Sequence, residues 1–251
     1  MTNTKELIAI SKKAGDAIMA IYNNAEFSSV VNFKADDSPL TLADQASHDV
    51  IVEELSKLTP EIPIISEEGE EVPYEIRKDY SRYWLIDPLD GTKEFINRNG
   101  EFTVNIALIE NNIPTQGFIY VPVTETMYYT DSKTCYKEHA GQSEVLKVNN
   151  STVNRVAVRS KSHPSPEEEV VLDKYGVTDS ISVGSSLKFC MVAEGKADIY
   201  YRHGPTMEWD TAAGQAVLQA AGGKVFIETG SEAFSYNKQS LLNGSFLCLG
   251  F

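Results

Sequence analysis

Cysteine is scarce: the 251 residues contain three, at positions 135, 190 and 248. They form no CxxC pair and no zinc-ligand spacing, which argues against a disulfide-stapled scaffold and against a zinc module. An odd count without a dense framework points to reduced thiols in a cytoplasmic protein. Each cysteine lies in an apolar or strand-like run, so packing is its expected role. No apolar run is long enough to span a membrane. No basic segment followed by an apolar core opens the sequence, so no secretory signal is expected. Internal repeats, low-complexity tracts and Gly/Ser- or Pro-rich linkers are also missing. Basic residues are in deficit, 22 Lys and Arg against 36 Asp and Glu, for a net charge of −14. Such a field repels nucleic acid polymers and anionic membrane surfaces. It still admits a small phosphorylated substrate where bound cations or a local basic pocket reverse the sign.

Hydrophobic residues make up 42% of the chain and charged residues 23%, enough for a large globular core in one domain or two tightly packed halves. Apolar periodicity predicts helices over 3–24, from a Thr41 cap to Leu58, over 165–174, from the Ser182–Phe189 stretch to about Gly195, and from Asp210 to Gly222-Gly223. Strands are expected over 27–34, 62–66, 83–86, 154–159, 197–202, 224–227 and 245–249. An antiparallel meander is expected over 102–109, 115–120 and 126–130, with a short strand at 135–137. The stretch from His139 to Ser151 reads as a polar connection. A soft boundary near residue 145 separates an N-terminal α+β half, 1–145, from a C-terminal α/β half, 146–251. The alternation of strands and helices in both halves gives an α/β class with layered helices and sheets.

The chain is organised around Trp84-Leu-Ile-Asp-Pro-Leu-Asp-Gly-Thr-Lys-Glu-Phe95. Its apolar opening reads as a strand that Pro88 ends, which places Asp87 at the C-terminal end, where open α/β sheets bind ligands. Asp90 follows three residues later, so two carboxylates converge on one small volume. Gly91 allows close backbone approach, and a short helix from Thr92 would turn its first N–H groups toward an anion. Two fixed carboxylates beside such a helix start call for a cation between them, and oxygen ligands suit Mg²⁺ or Mn²⁺ with a substrate phosphate completing the shell. Asp44, in the first turn of its helix, is accounted for by the helix dipole alone. Capping alone likewise accounts for Asp210, Ser185 and Ser186.

Asp87-Pro-Leu-Asp-Gly-Thr92 resembles the signature of the lithium-sensitive, magnesium-dependent phosphatases typified by inositol monophosphatase. Its continuation through Lys93-Glu94 to Asn105 most resembles the CysQ-type 3′(2′),5′-bisphosphate nucleotidases within that superfamily. Trp209-Asp-Thr-Ala-Ala-Gly214, with a terminal Ala221-Gly-Gly223, is similar to the second signature of the family. The resemblance implies the sugar-phosphatase fold, stacked as α-β-α-β-α layers. It implies two or three Mg²⁺ ions, one held by Glu67, Asp87 and the Leu89 carbonyl and another by Asp87, Asp90 and Asp210, together with inhibition by Li⁺. Glu68, the neighbour of Glu67, is the competing candidate; strand alternation would turn the two side chains apart.

By the same resemblance Asp44 and Thr92 activate water, and the amides of Gly91 and Thr92 cradle the phosphate. Ser185, Lys188 and Arg202 match positions that hold the phosphates or sugar of a nucleotide. Lys161 and His163 are candidates from a Ser- and His-bearing loop that is otherwise simply hydrophilic. The implied activity is hydrolysis of the 3′-phosphate of adenosine 3′,5′-bisphosphate to AMP, linked to sulfur assimilation. An inositol monophosphatase or sugar-bisphosphate phosphatase is the alternative within the enzyme class, and a non-catalytic metal- or nucleotide-binding protein the alternative outside it. The expected protein is a monomer or homodimer in the cytoplasm or at the periphery of the inner membrane.

Overall fold

Helix α1 (Thr4–Tyr22) buries Leu7, Ile10, Ala14, Ile18 and Tyr22, a stripe stepping three and four residues at a time. The computed structural model describes residues 4–23, 31–33, 39–131, 133–150, 153–161 and 165–251. The short antiparallel pair β1 (Val31–Phe33) and β2 (Pro39–Thr41) leads into α2 (Leu42–Leu58). Strand β3 (Ile64–Ser66) and the one-turn α3 (Tyr74–Arg77) precede β4 (Arg82–Asp90), which runs directly into the five-residue α4 (Thr92–Ile96). The meander follows as β5 (Thr103–Glu110), β6 (Ile113–Val121), β7 (Thr126–Asp131), β8 (Thr134–His139) and β9 (Gln142–Val145). Together β3 to β9 form one seven-stranded sheet in chain order, with β3–β4 parallel and every later pair antiparallel.

Strand β10 (Arg155–Ser160), α5 (Pro166–Lys174), β11 (Val177–Val183), α6 (Leu187–Ala193) and β12 (Ile199–Arg202) follow. After the two-residue β13 (Thr206–Met207) come α7 (Trp209–Ala220), β14 (Lys224–Ile227), β15 (Leu242–Asn243) and β16 (Phe246–Leu249). The second sheet has the order β11-β10-β12-β16-β14.

Side-chain alternation makes the layers. On β4 and β5, Trp84, Ile86, Ile106 and Leu108 face α1 and α2. Tyr83, Leu85, Ala107 and Ile109 face the opposite way, joining Phe189 and Cys190 of α6, Ala213 and Val217 of α7, and Tyr200, Phe246 and Cys248 of the second sheet. The outer face of the second sheet, with Ala157, Ile199 and Leu247, packs on Val171 and Leu172 of α5. The result is the α-β-α-β-α stack. The central layer is tight: a Cβ on Gly117 of β6 would lie 2.5 Å from the Ala213 carbonyl oxygen of α7.

Two expectations need correction, and one strand was not foreseen. Pro88 does not end its strand. The β4–β5 register slips between Asp87 and Asp90, so Pro88 sits in a bulge where no ladder N–H is required of it. The supposed connection after His139 contains β9, an exposed edge strand. A further strand, β11, fills 177–183; it too is a mostly exposed edge, which is why apolar patterning gave no sign of it.

Candidate active site

The bulge in β4 shapes the site. Leu89 donates its N–H to Asp87 Oδ1 at 3.1 Å, closing an Asx turn across Pro88. Ser47 of α2 donates to the Pro88 carbonyl at 2.7 Å, tying the turn to the helix that carries Asp44. Asp87 and Asp44 are both buried. Asn105 sits opposite Asp87 in the ladder. Its Nδ2 donates to Asp90 Oδ2 at 3.3 Å and to Ser186 Oγ at 3.0 Å, while Thr103 donates to Asn105 Oδ1 at 3.0 Å. Gly91 caps α4 with φ of 97°, a left-handed conformation that favours glycine.

Two other elements bring carboxylates to this turn. Glu67 follows β3 and donates its backbone N–H to the Ile86 carbonyl at 3.2 Å. Asp210 lies in the first turn of α7. The N-cap is Glu208, not Asp210 as expected, but the Asp210 carboxylate still turns back to accept the Met207 N–H at 2.8 Å. Carboxylate oxygens of Glu67, Asp87 and Asp210 all lie within 4.8 Å of one another. Asp90 stands beside this triad, its carboxylate engaged with Asn105 and Ser186.

The electrostatics follow from that crowding. Burial raises the Asp87 carboxyl well above its ordinary value, and the charges of Glu67, Asp90, Asp210 and Asp44 push the same way. Burial also raises Asp210, reinforced by Asp90 and Glu67. Asp90 is raised by burial against the opposing pull of Lys188, Ser186 and Asn105. Gathered carboxylates of this kind are costly to ionise unless a cation joins them. The donor set, all hard oxygen, fits a divalent ion of the Mg²⁺, Mn²⁺ or Ca²⁺ type.

On the facing side, Ser185 has φ of 46° and a buried Oγ without a hydrogen-bond partner among the described residues. A Cβ on Gly91 would come within 3.2 Å of the Ser185 Cβ, so the loop before α6 rests directly on the Gly91 turn. Lys188 is buried, not solvated; its Nζ donates to the Ser185 carbonyl at 2.6 Å and lies 5.6 Å from the centroid of the Tyr200 ring. Arg202 ends β12 and donates to the Gly204 carbonyl at 3.3 Å. Lys161 pairs with Glu101 at 2.6 Å, and the other oxygen of Glu101 accepts the Gly184 N–H at 2.8 Å. His163 lies outside the described residues.

Sequence reasoning gave no site role to Asn105, Glu94 or Glu101, and read Ser186 as a helix cap. For Asn105 a signal existed: an amide within the otherwise apolar Thr103–Ile109 run needs a buried polar partner. Glu94 is buried under Gly184, where an added Cβ would meet its Cγ at 2.5 Å, a contact that no local pattern discloses.

A model of the inositol monophosphatase family matches residues 2–248. The chain is 46% identical over 242 residues to the 3′(2′),5′-bisphosphate nucleotidase CysQ of Salmonella typhimurium, covering 96% of this chain and 97% of that one. It is 42% identical over 247 residues to the protein of the same name from Buchnera aphidicola, covering 98% and 91%. The crystal structure of CysQ from Bacteroides thetaiotaomicron, a bacterial member of the inositol monophosphatase family, matches with a TM-score of 0.86 at 40% identity, covering 98% of this chain and 97% of that one. No helix among the described residues is long and apolar enough to cross a membrane.

Proposed function

The chain belongs to the inositol monophosphatase family, a family of metal-dependent enzymes, and from that premise we propose that it is a Mg²⁺-dependent 3′(2′),5′-bisphosphate nucleotidase. Its substrate would be adenosine 3′,5′-bisphosphate, hydrolysed at the 3′-phosphate to AMP and phosphate, with a place in sulfur assimilation. The observation that carries the reading is the convergence of Glu67, Asp87 and Asp210 within 4.8 Å, on three separate elements, beside the Gly91 turn.

Glu67, Asp87 and the Leu89 carbonyl would hold one Mg²⁺, and Asp87, Asp90 and Asp210 a second, with a third ion compatible with the charge gathered there. When bound, the ions supply a water of lowered pKa and stabilise charge on the phosphoryl and leaving oxygens. The remaining work belongs to the chain. Asp44 and Thr92 orient the attacking water, the Asp44 carboxylate takes its proton, and the departing 3′-oxygen is protonated from solvent. The amides of Gly91 and Thr92 hold the phosphoryl group for in-line attack, in which the new P–O bond forms as the bond to the 3′-oxygen breaks. Ser185, Lys188, Arg202 and His163 would hold the ribose and the phosphate that does not react. The identity of about 46% to nucleotidases, and the Lys93-Glu94 continuation of the motif, favour this substrate over inositol or sugar phosphates.

Phosphate release should be measured with adenosine 3′,5′-bisphosphate, inositol 1-phosphate and fructose 1,6-bisphosphate, in Mg²⁺ and after metal stripping. The bisphosphonucleotide should be preferred and the stripped enzyme inactive. Undiminished turnover in chelator would overturn the mechanism, and preference for either other substrate would overturn the assignment.

A further inference from the structure

Glu208 is fully buried immediately before α7, two residues from Asp210. Its carboxylate accepts the N–H of Asn237 at 2.7 Å and that of Lys238 at 3.1 Å, and the Lys238 Nζ at 2.5 Å. The Glu208 N–H in turn donates to the Leu241 carbonyl at 2.9 Å. The 237–241 loop is therefore locked onto the helix start that carries Asp210. Arg77, the last residue of α3, locks the other side of the same loop. Its guanidinium donates to Asn237 Oδ1 at 2.9 Å, to the Lys238 carbonyl at 2.7 Å and to the Gln239 carbonyl at 2.9 Å. Asn237 Nδ2 returns a bond to the Arg77 carbonyl at 2.7 Å.

Arg77 is itself buried, an uncommon place for a guanidinium, and three oxygens of the 237–239 stretch accept from it there. It closes the segment that begins at Glu67. A cavity of about 510 Å³ opens above the joint, walled by Glu67, Glu70 and Arg77 on one side and by Met207, Trp209 and Gln239 on the other.

We propose that Arg77, Asn237 and Glu208 form a positioning strut that fixes the Glu67 segment against the Asp210 helix and so sets the affinity of the acidic site for a divalent cation. Glu67 and Asp210 sit on different sheets' connections, and their mutual repulsion drives them apart. The strut holds them at ligand spacing before any cation arrives. Groups bonded directly to ligands are commonly worth roughly 10–100-fold in metal affinity, and the strut, which acts through the ligands' backbone, belongs at the lower end of that range. The proposal rests on the reading of Glu67, Asp87 and Asp210 as cation ligands.

The experiment is calorimetric titration of the full-length, substrate-free protein with Mg²⁺. Arg77→Met keeps the bulk and removes all of the guanidinium's bonds. Asn237→Gly removes the side chain at a position whose φ of 64° suits glycine, and tests the same joint should Arg77→Met not fold. Both variants should bind Mg²⁺ at least about tenfold more weakly. Their half-saturating Mg²⁺ for activity should rise by the same factor with kcat at saturation preserved, and Arg77→Lys should recover part of the loss. Folded variants with unchanged Mg²⁺ affinity would overturn the strut. Wild-type protein that binds no Mg²⁺ would overturn the cation-site reading itself, an outcome separate from failure of the strut.

Discussion

Lys188 is buried beside Asp90. Burial pushes the Asp90 carboxyl up and the Lys188 charge pulls against it; burial also depresses the Lys188 ammonium, and Asp90 opposes that in turn. The cation thus stands between a proposed metal ligand and the Ser185 loop where a nucleotide would lie. Lys188→Met should lower kcat/KM for adenosine 3′,5′-bisphosphate by about 1.5–3 kcal/mol, the scale of a charged hydrogen bond. It should lower that for inositol 1-phosphate much less. An equal fall for both substrates would assign Lys188 to the support of Asp90 alone.

Asp90→Asn is nearly isosteric, and Asn105 and Ser186 can still bond to it. The fold should therefore persist while kcat falls at least roughly a hundredfold, since one ligand charge is lost. Asp87→Asn should be at least as damaging, because Asp87 is assigned to both ions. Near-normal kcat in a well-folded Asp90→Asn variant would remove Asp90 from the ligand set.

The raised carboxyls of Asp87, Asp90 and Asp210 make stability depend on pH in a definite direction. Each binds its proton more tightly in the folded state than in the unfolded chain. Their contribution is therefore fully present below the ordinary carboxylate pKa of about 4 and is lost as pH rises through the raised folded values. Added Mg²⁺ replaces those protons, so the Tm difference between Mg²⁺ and chelator should widen as pH rises from about 4 toward neutrality. Thermal melts at several pH values read this directly, and a difference that narrows with pH would contradict it.

Gly117→Ala tests the central layer. The new methyl would stand 2.5 Å from the Ala213 carbonyl oxygen and 2.8 Å from the Ala216 Cβ. Backbone must move to admit it, at an expected cost of about 1–3 kcal/mol. The midpoint of urea unfolding should drop with the m-value unchanged; an unaltered midpoint would show that α7 yields freely.

Much of this was legible in the sequence. The Trp84–Ile86 run, the meander over 102–109, 115–120 and 126–130, and the helix that Gly222-Gly223 ends each carry a local period or punctuation that the structure keeps. The α/β class followed from them, while the layer order came only with the family resemblance. What stayed hidden was decided by partners remote in the chain. Glu208 reads as an ordinary acidic residue beside a motif; only Asn237 and Lys238, about thirty positions later, explain why it is buried. Pro88 reads as a terminator because the bulge that accommodates it depends on the register with β5. Edge strands β9 and β11 bury too little to show a two-residue alternation.

The order of strands in the second sheet bears on how the chain comes off the ribosome. The seven-stranded sheet joins strands in sequence order, so each can pair as soon as its neighbour has emerged. In the five-stranded sheet β16, the last strand described, lies between β12 and β14 and bridges them. Until it is made, β14 has no place to attach, and the loop that grips Glu208 has only just appeared. Glu67 and Asp87 would thus wait through most of synthesis for the helix start bearing Asp210 to be secured. Pulse-labelled hydrogen exchange during refolding should find β4–β7 protected before β12 and β16. Simultaneous protection would mean that the two sheets form as one cooperative unit.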